Sequence, residues 1–167
     1  MSIEKYCDFE PQIDSSVFVA DSASVIGRVT IGRGSSVWHS AVIRGDVGEV
    51  IIGQNSNIQD NCTVHVGLEV PAIIGNNVVV GHNAVIHACT VEDNCLIGMG
   101  AVVLDGAVIG HGSIVGAGCV VGENKQIPPY SLVVGVPGKV VKTLDEEREK
   151  ALKAHAESYA KLAHEYK

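Results

Sequence analysis

Three of the seven histidines, His65, His82 and His87, fall in one stretch, NIQDNCTVHVGLEVPAIIGNNVVVGHNAVIH, from Asn57 to His87. Gln59 and Asp60 lie in the same stretch, and Arg44 and Asp46 stand just upstream. Neutral imidazoles are ligands for zinc and similar divalent metals. Three of them with no fourth protein ligand describe an open site in which water fills the vacancy. Zinc brings the pKa of such a water to about 7, giving hydroxide at neutral pH. Residue types alone make no site, so the elements that position them decide the matter.

Those elements repeat. An aliphatic residue recurs every six positions at Ile13, Val19, Val25, Ile31, Val37 and Ile43. After three extra residues the series resumes at Ile52, Ile58 and Val64, and after four more at Ile74, Val80 and Ile86. One step is then a residue short, and Val91, Ile97, Val103, Ile109, Val115, Val121, Ile127 and Val133 follow. Gly often succeeds the aliphatic anchor, and the fourth residue after it is usually small. A period of six is neither 3.6 nor 2. It predicts short strands joined by tight corners, with the anchor pointing inward and Gly permitting the bend. Such hexads are the sequence signature of a parallel β-helix. The chain resembles the left-handed β-helix family, in which three hexads make a triangular coil of about 18 residues. The left hand is implied by that resemblance.

In such a prism, residues three anchors apart stack in a column at the spacing of adjacent strands, roughly 4.8 Å. Arg44 follows Ile43, His65 follows Val64 and His87 follows Ile86, so these three share one column on consecutive coils. Asp60 and His82, each two residues after an anchor, form a second column on another face, with Gln59 beside Asp60. Two stacked imidazoles below an arginine need a reason to be together, and a metal supplies one. His82 cannot share that metal within one prism. It can if a second subunit docks its Asp60–His82 face against the first subunit's Arg44–His65–His87 face. Zinc suits three imidazoles and a water, and iron and cobalt also accept them.

The remaining chain is simpler. Residues 1–142 are expected to form the β-helix domain, with residues 1–12 an irregular lead-in. Residues 143–167 are expected to form an amphipathic helix packed on it. Thr143 and Glu146 read as a capping box, and Leu152, Ala156, Tyr159, Leu162, Ala163 and Tyr166 as the apolar stripe. Tyr159 is placed to reach a site from that helix. Cys62, Cys95 and Cys119 occupy small positions and read as core fillers. The hydrophobic share is 46%, mean hydropathy is +0.24 and net charge is −7, which argues against nucleic acid as a partner. No apolar run approaches the roughly 20 residues of a membrane span. Five cysteines without a C-x-x-C motif fit a reducing cytoplasm.

The motifs RGD (Arg44–Asp46), NIQD (Asn57–Asp60), TVHV around His65 and GHNAVIH (Gly81–His87) resemble those of the γ-class carbonic anhydrases. That resemblance implies a zinc-dependent lyase converting carbon dioxide to bicarbonate. It implies a homotrimer with metal sites at the subunit interfaces, His65 and His87 coming from one subunit and His82 from the next. It also implies that Gln59 orients the zinc-bound hydroxide and that Arg44 pairs with Asp46 and Asp60. One departure stands out. The best-studied members carry a Glu directly after RGD and an acidic loop after the first His. Here Val47 follows Asp46, and the loop is VGLEVPA with Glu69 its one acid. Turnover limited by proton transfer is the expectation. Two alternatives remain beside this reading: a hexapeptide-repeat acyltransferase using His111, supported by GVPGKVV at Gly135–Val141, and an assembly protein that holds metal for structure.

Overall fold

The computed structural model describes residues 2–166. Each hexad folds as a short strand, most of two or three residues, followed by a tight corner, and the result matches a left-handed parallel β-helix with one C-terminal helix. The anchors from Val25 to Val133 lie at 8% exposure or less and stack as the core. The cause is the strand period of two: the anchor points inward, so its neighbour points out. Face I carries Phe18–Val19, Ser36–Val37, Asn57–Ile58, Val79–Val80, Leu96–Ile97, Ile114–Val115 and Ser131–Val134. Face II carries Thr63–His65, Val85–His87, Val102–Val103 and Val120–Val121. Face III carries Gln12–Ile13, Ala72–Ile74, Thr90–Val91, Val108–Ile109 and Gln126–Ile127. Two long strands, Ser24–Ile31 and Val42–Ile52, run across the corner from face II to face III.

The corners bend differently from the expectation. Their left-handed residue comes three positions after the anchor and is mostly Asn or Gly, as at Asn61, Asn83 and Gly100 between faces I and II. The Gly that follows an anchor serves another purpose. A Cβ on Gly53 would lie 2.7 Å from the backbone of Gly75 on the next coil, so close stacking excludes a side chain there.

Both ends of the prism depart from the sequence reading. The lead-in is not wholly irregular, because Ser2–Glu4 pairs in parallel with Ser24–Ile26 and so starts the first coil. At the other end, Lys139–Thr143 folds back antiparallel on Ser131–Val134. Thr143 is therefore a strand residue and not a cap. Helix α1, Glu146–Glu165, is capped instead by Asp145, whose carboxylate accepts from Arg148 N at 2.9 Å. Three acids in its first turn suit the positive end of its dipole. Leu152, Ala156 and Ala163 bury against face I, while Leu162 and Tyr166 remain partly exposed. Trp38 meets Tyr159 and Tyr166 edge-on, and Glu149 accepts hydrogen bonds from Asn94 and Tyr130. Cys62, Cys95 and Cys119 are buried in the core.

Candidate metal centre

The register brings Arg44, His65 and His87 together as Cα partners on successive coils, at the corner between faces II and III. All three departures from the six-residue step occur at this corner: Ile43 to Ile52, Val64 to Ile74 and Ile86 to Val91. The long strand Val42–Ile52 uses its extra residues to carry Asp46 beside the column. Gly45 makes that possible, since a Cβ there would lie 2.3 Å from the Arg28 carbonyl oxygen.

The column is a string of charged and imidazole groups. Arg44 pairs with one oxygen of Asp46, and His65 Nε2 lies 3.0 Å from the other. His65 Nδ1 lies 3.1 Å from His87 Nε2, and His87 Nδ1 lies 2.5 Å from Asp105 Oδ1. Desolvation pushes the Asp46 carboxyl upward. The hydrogen bond from His65, backbone N–H groups and the Arg44 charge outweigh it and hold the group below the usual aspartate value.

These contacts favour one assignment of the protons. A carboxylate only accepts, so the nitrogen facing each aspartate carries the hydrogen. A neutral imidazole has one N–H. With both rings neutral, His65 Nδ1 and His87 Nε2 are left bare, lone pair facing lone pair at 3.1 Å. That arrangement repels unless a cation stands between them. Tetrahedral zinc with nitrogens at about 2.0–2.1 Å separates two ligands by about 3.3 Å, close to the spacing present. The pair therefore fits a metal.

His82 stands at the opposite edge of face II, between faces I and II. Its Nδ1 lies 2.9 Å from Asp60 Oδ2, which again leaves Nε2 bare. Each of the three histidines thus directs one nitrogen at its own aspartate, the usual arrangement behind metal-binding imidazoles. Beside His82 is a mostly apolar cavity of about 490 Å³, lined by Gln59, His82, Leu96, Met99, His155 and Tyr159 among others. Gln59 is buried and donates from Nε2 to Asn57 Oδ1 at 3.1 Å, while Asn57 Nδ2 has no partner. Burial and the Asp60 charge raise the Tyr159 pKa, so its hydroxyl stays protonated at neutral pH.

The chain therefore holds two separate clusters, each a candidate half-site. Arg44, Asp46, His65 and His87 form one; Gln59, Asp60, His82 and Tyr159 form the other. Among the described residues, no three His, Cys, Asp or Glu side chains of one protomer surround a common point suited to an ion. The sequence reading missed Asp105 and the Asn57 support of Gln59. Asp105 stands one coil after His87 and one residue past the position that continues its column, so register alone did not mark it. His111 faces Glu92 at 3.7 Å and meets Tyr130 edge-on, at the corner between faces III and I. Cys89 is buried, with its thiol pKa pushed up to about 12 by desolvation, which suits a core residue and not a ligand. Val47, Leu68 and Val70 are exposed apolar side chains near the His65 half-site. Glu69 donates its backbone N–H to Val47 O, fixing that loop.

Residues 88–123 match the family described as bacterial transferase hexapeptide (six repeats). A Methanocaldococcus jannaschii protein named "Probable carbonic anhydrase" is 54% identical over 151 residues, covering 90% of this chain and 95% of that one. Gamma carbonic anhydrase 2, mitochondrial, of Arabidopsis thaliana is 52% identical over 77 residues, which is 42% of this chain and 28% of that protein. A Bacillus cereus crystal structure, provisionally described as an acetyltransferase, superposes with a TM-score of 0.96 at 41% identity, covering 99% of this chain and 96% of that one.

Proposed function

The chain belongs to the γ carbonic anhydrase family of hexapeptide-repeat proteins, and from that premise we propose that it hydrates carbon dioxide to bicarbonate at a metal shared between subunits of a homotrimer. The observation that carries this reading is the facing pair of nitrogens on His65 and His87, 3.1 Å apart, with an aspartate at the far nitrogen of each ring. His65 and His87 of one subunit would hold the ion together with His82 of the next. Zinc is the first choice for three imidazoles, ahead of iron and cobalt. When bound, the metal supplies hydroxide at neutral pH by acidifying a water.

The chain's own residues do the rest. Asp46 and Asp60 hold the His65 and His82 rings through one nitrogen and leave the other for the ion. The Gln59 amide, fixed by Asn57, stands beside His82 to orient the attacking oxygen. Tyr159 keeps its proton and borders the same apolar cavity, where a nonpolar gas is better placed than in water. Arg44, bound to Asp46, faces the neighbouring subunit's Asp60 across the interface. Water and carbon dioxide give bicarbonate and one proton, and that proton must leave past Val47 and the short loop carrying Glu69. A cytoplasmic setting fits five free thiols.

The test is a stopped-flow hydration assay on protein reconstituted with zinc, cobalt or ferrous iron, with imidazole buffer varied. Metal-dependent hydration that rises with buffer concentration supports the proposal, and reconstituted trimers without hydration refute it. The second reading, acyl transfer, is favoured by the likeness to the Bacillus cereus structure. Acetyl transfer from acetyl-CoA that needs no metal and is lost in His111→Ala would establish it instead.

A further inference from the structure

Asp105 lies outside every motif by which the half-sites were recognised, yet it makes the shortest contact to a candidate ligand. It sits after the strand Val102–Val103, one coil beyond His87 and one residue past the position that continues the Arg44–His65–His87 column. That offset lets its carboxylate reach back to the His87 ring. Oδ1 stands 2.5 Å from His87 Nδ1, and Oδ2 lies over Gly67, where a Cβ would come within 3.5 Å of it. Its backbone carbonyl accepts from Asn124 N at 2.8 Å, so the corner holding it is anchored independently of the carboxylate.

We propose that Asp105 is a positioning residue for the metal: it holds His87 in the Nδ1–H tautomer, so that Nε2 is bare and aimed at His65. This rests on the metal reading given above. An imidazole in water divides its proton between two nitrogens, and the tautomer common in water has the hydrogen on Nε2, which would block the inward nitrogen. A charged acceptor at Nδ1 reverses that preference and fixes the ring plane through a charge-assisted bond. Asp46 does the same for His65 with the opposite nitrogen, since His65 presents Nδ1 inward and bonds Asp46 through Nε2. The two rings face each other productively only because an aspartate stands at each outer end.

The experiment uses the full-length protein and two variants, Asp105→Ala and Asp105→Asn. Zinc affinity is read by competition with a chelator, and the His87 tautomer of metal-free protein by nitrogen-15 NMR. Asp105 is about half exposed, and both variants should keep wild-type circular dichroism and oligomeric state. Loss of a ligand's hydrogen-bonding partner typically weakens metal binding about 10–100-fold. Asp105→Ala should show a loss of that order and a shift of His87 toward the Nε2–H form. Asp105→Asn, which keeps an acceptor without its charge, should recover part of both. Unchanged affinity and tautomer in a folded Asp105→Ala protein overturn the proposal while leaving the metal reading intact. Wild-type protein that binds no metal ends both. Wild-type His87 found mainly as Nε2–H overturns the positioning role whatever the affinities are.

Discussion

Two corners of the same prism bound face II, and they are built on different rules. The corner between faces I and II keeps the six-residue step on every coil and turns on a left-handed residue such as Asn61, Asn83 or Gly118. It carries Asp60 and His82 with no change in the repeat. The corner between faces II and III is where the repeat breaks, by three residues, four residues and a deletion of one. It carries Arg44, Asp46, His65, His87 and Asp105. The regular corner sets a ligand by register alone. At the irregular corner extra chain brings Asp46 beside His65, while Asp105 reaches His87 from an ordinary six-residue step, and the extra residues are tolerated because a surface loop costs little closure entropy. The strict repeat builds the frame and stacks the two imidazoles, and its first interruption brings Asp46 beside them.

The largest effect that tests this contrast comes from removing an imidazole. His65→Ala should abolish tight metal binding and hydration, losing more than the roughly 10–100-fold that follows loss of a ligand's hydrogen-bonding partner. His111→Ala, on the corner between faces III and I, should change neither. Equal losses in the two variants, measured by metal content and stopped-flow rate, would erase the distinction.

A smaller effect concerns the backbone. Gly45→Ala puts a methyl 2.3 Å from the Arg28 carbonyl and should cost about 1–3 kcal/mol. Gly122→Ala lies one position earlier in the repeat on an upper coil of the same corner, where nothing lies within 4 Å, and should be neutral or slightly stabilising. Urea unfolding of both proteins reads the difference directly.

The smallest effect concerns the buried thiols. Burial pushes Cys62 up to about 11 and Cys95 and Cys89 up to about 12, against 9.0 when exposed. The unfolded chain ionises first, so their contribution is intact below pH 9.0 and is lost as pH rises toward 11 and 12. Thermal midpoints should fall over that window, and a thiol reagent at pH 8 should react quickly with Cys7 alone.

Much of this architecture was legible in the sequence, because one rule repeated along the chain sets both core and register. Val64 and Ile86 must point inward, so His65 and His87 must stack, and the pairing of those strands follows. What was not legible lies where the repeat stops or where contacts cross coils. Thr143 matched a capping box, but the hairpin with Ser131–Val134 claims it and Asp145 caps the helix. Ile3 precedes the first full hexad, yet a free strand edge at Val25 recruits it. Gly53 suggested a flexible bend, whereas the closeness of the next coil is what excludes its Cβ. Asp105 was hidden because its role depends on a reach of one coil and one residue, which no local motif encodes.

The central claim is that neither half-site works alone, and mixed subunits test it most directly. His82→Ala and His87→Ala each leave two protein ligands at every site of a cyclic trimer, so each should be nearly inactive. Unfolding both, mixing them equally and refolding them together creates sites that take His65 and His87 from one variant and His82 from the other. Random assembly makes about a quarter of sites whole, and activity with tightly bound metal should return to about that fraction of wild type. Properly formed mixed trimers with no recovery would contradict a site shared between subunits.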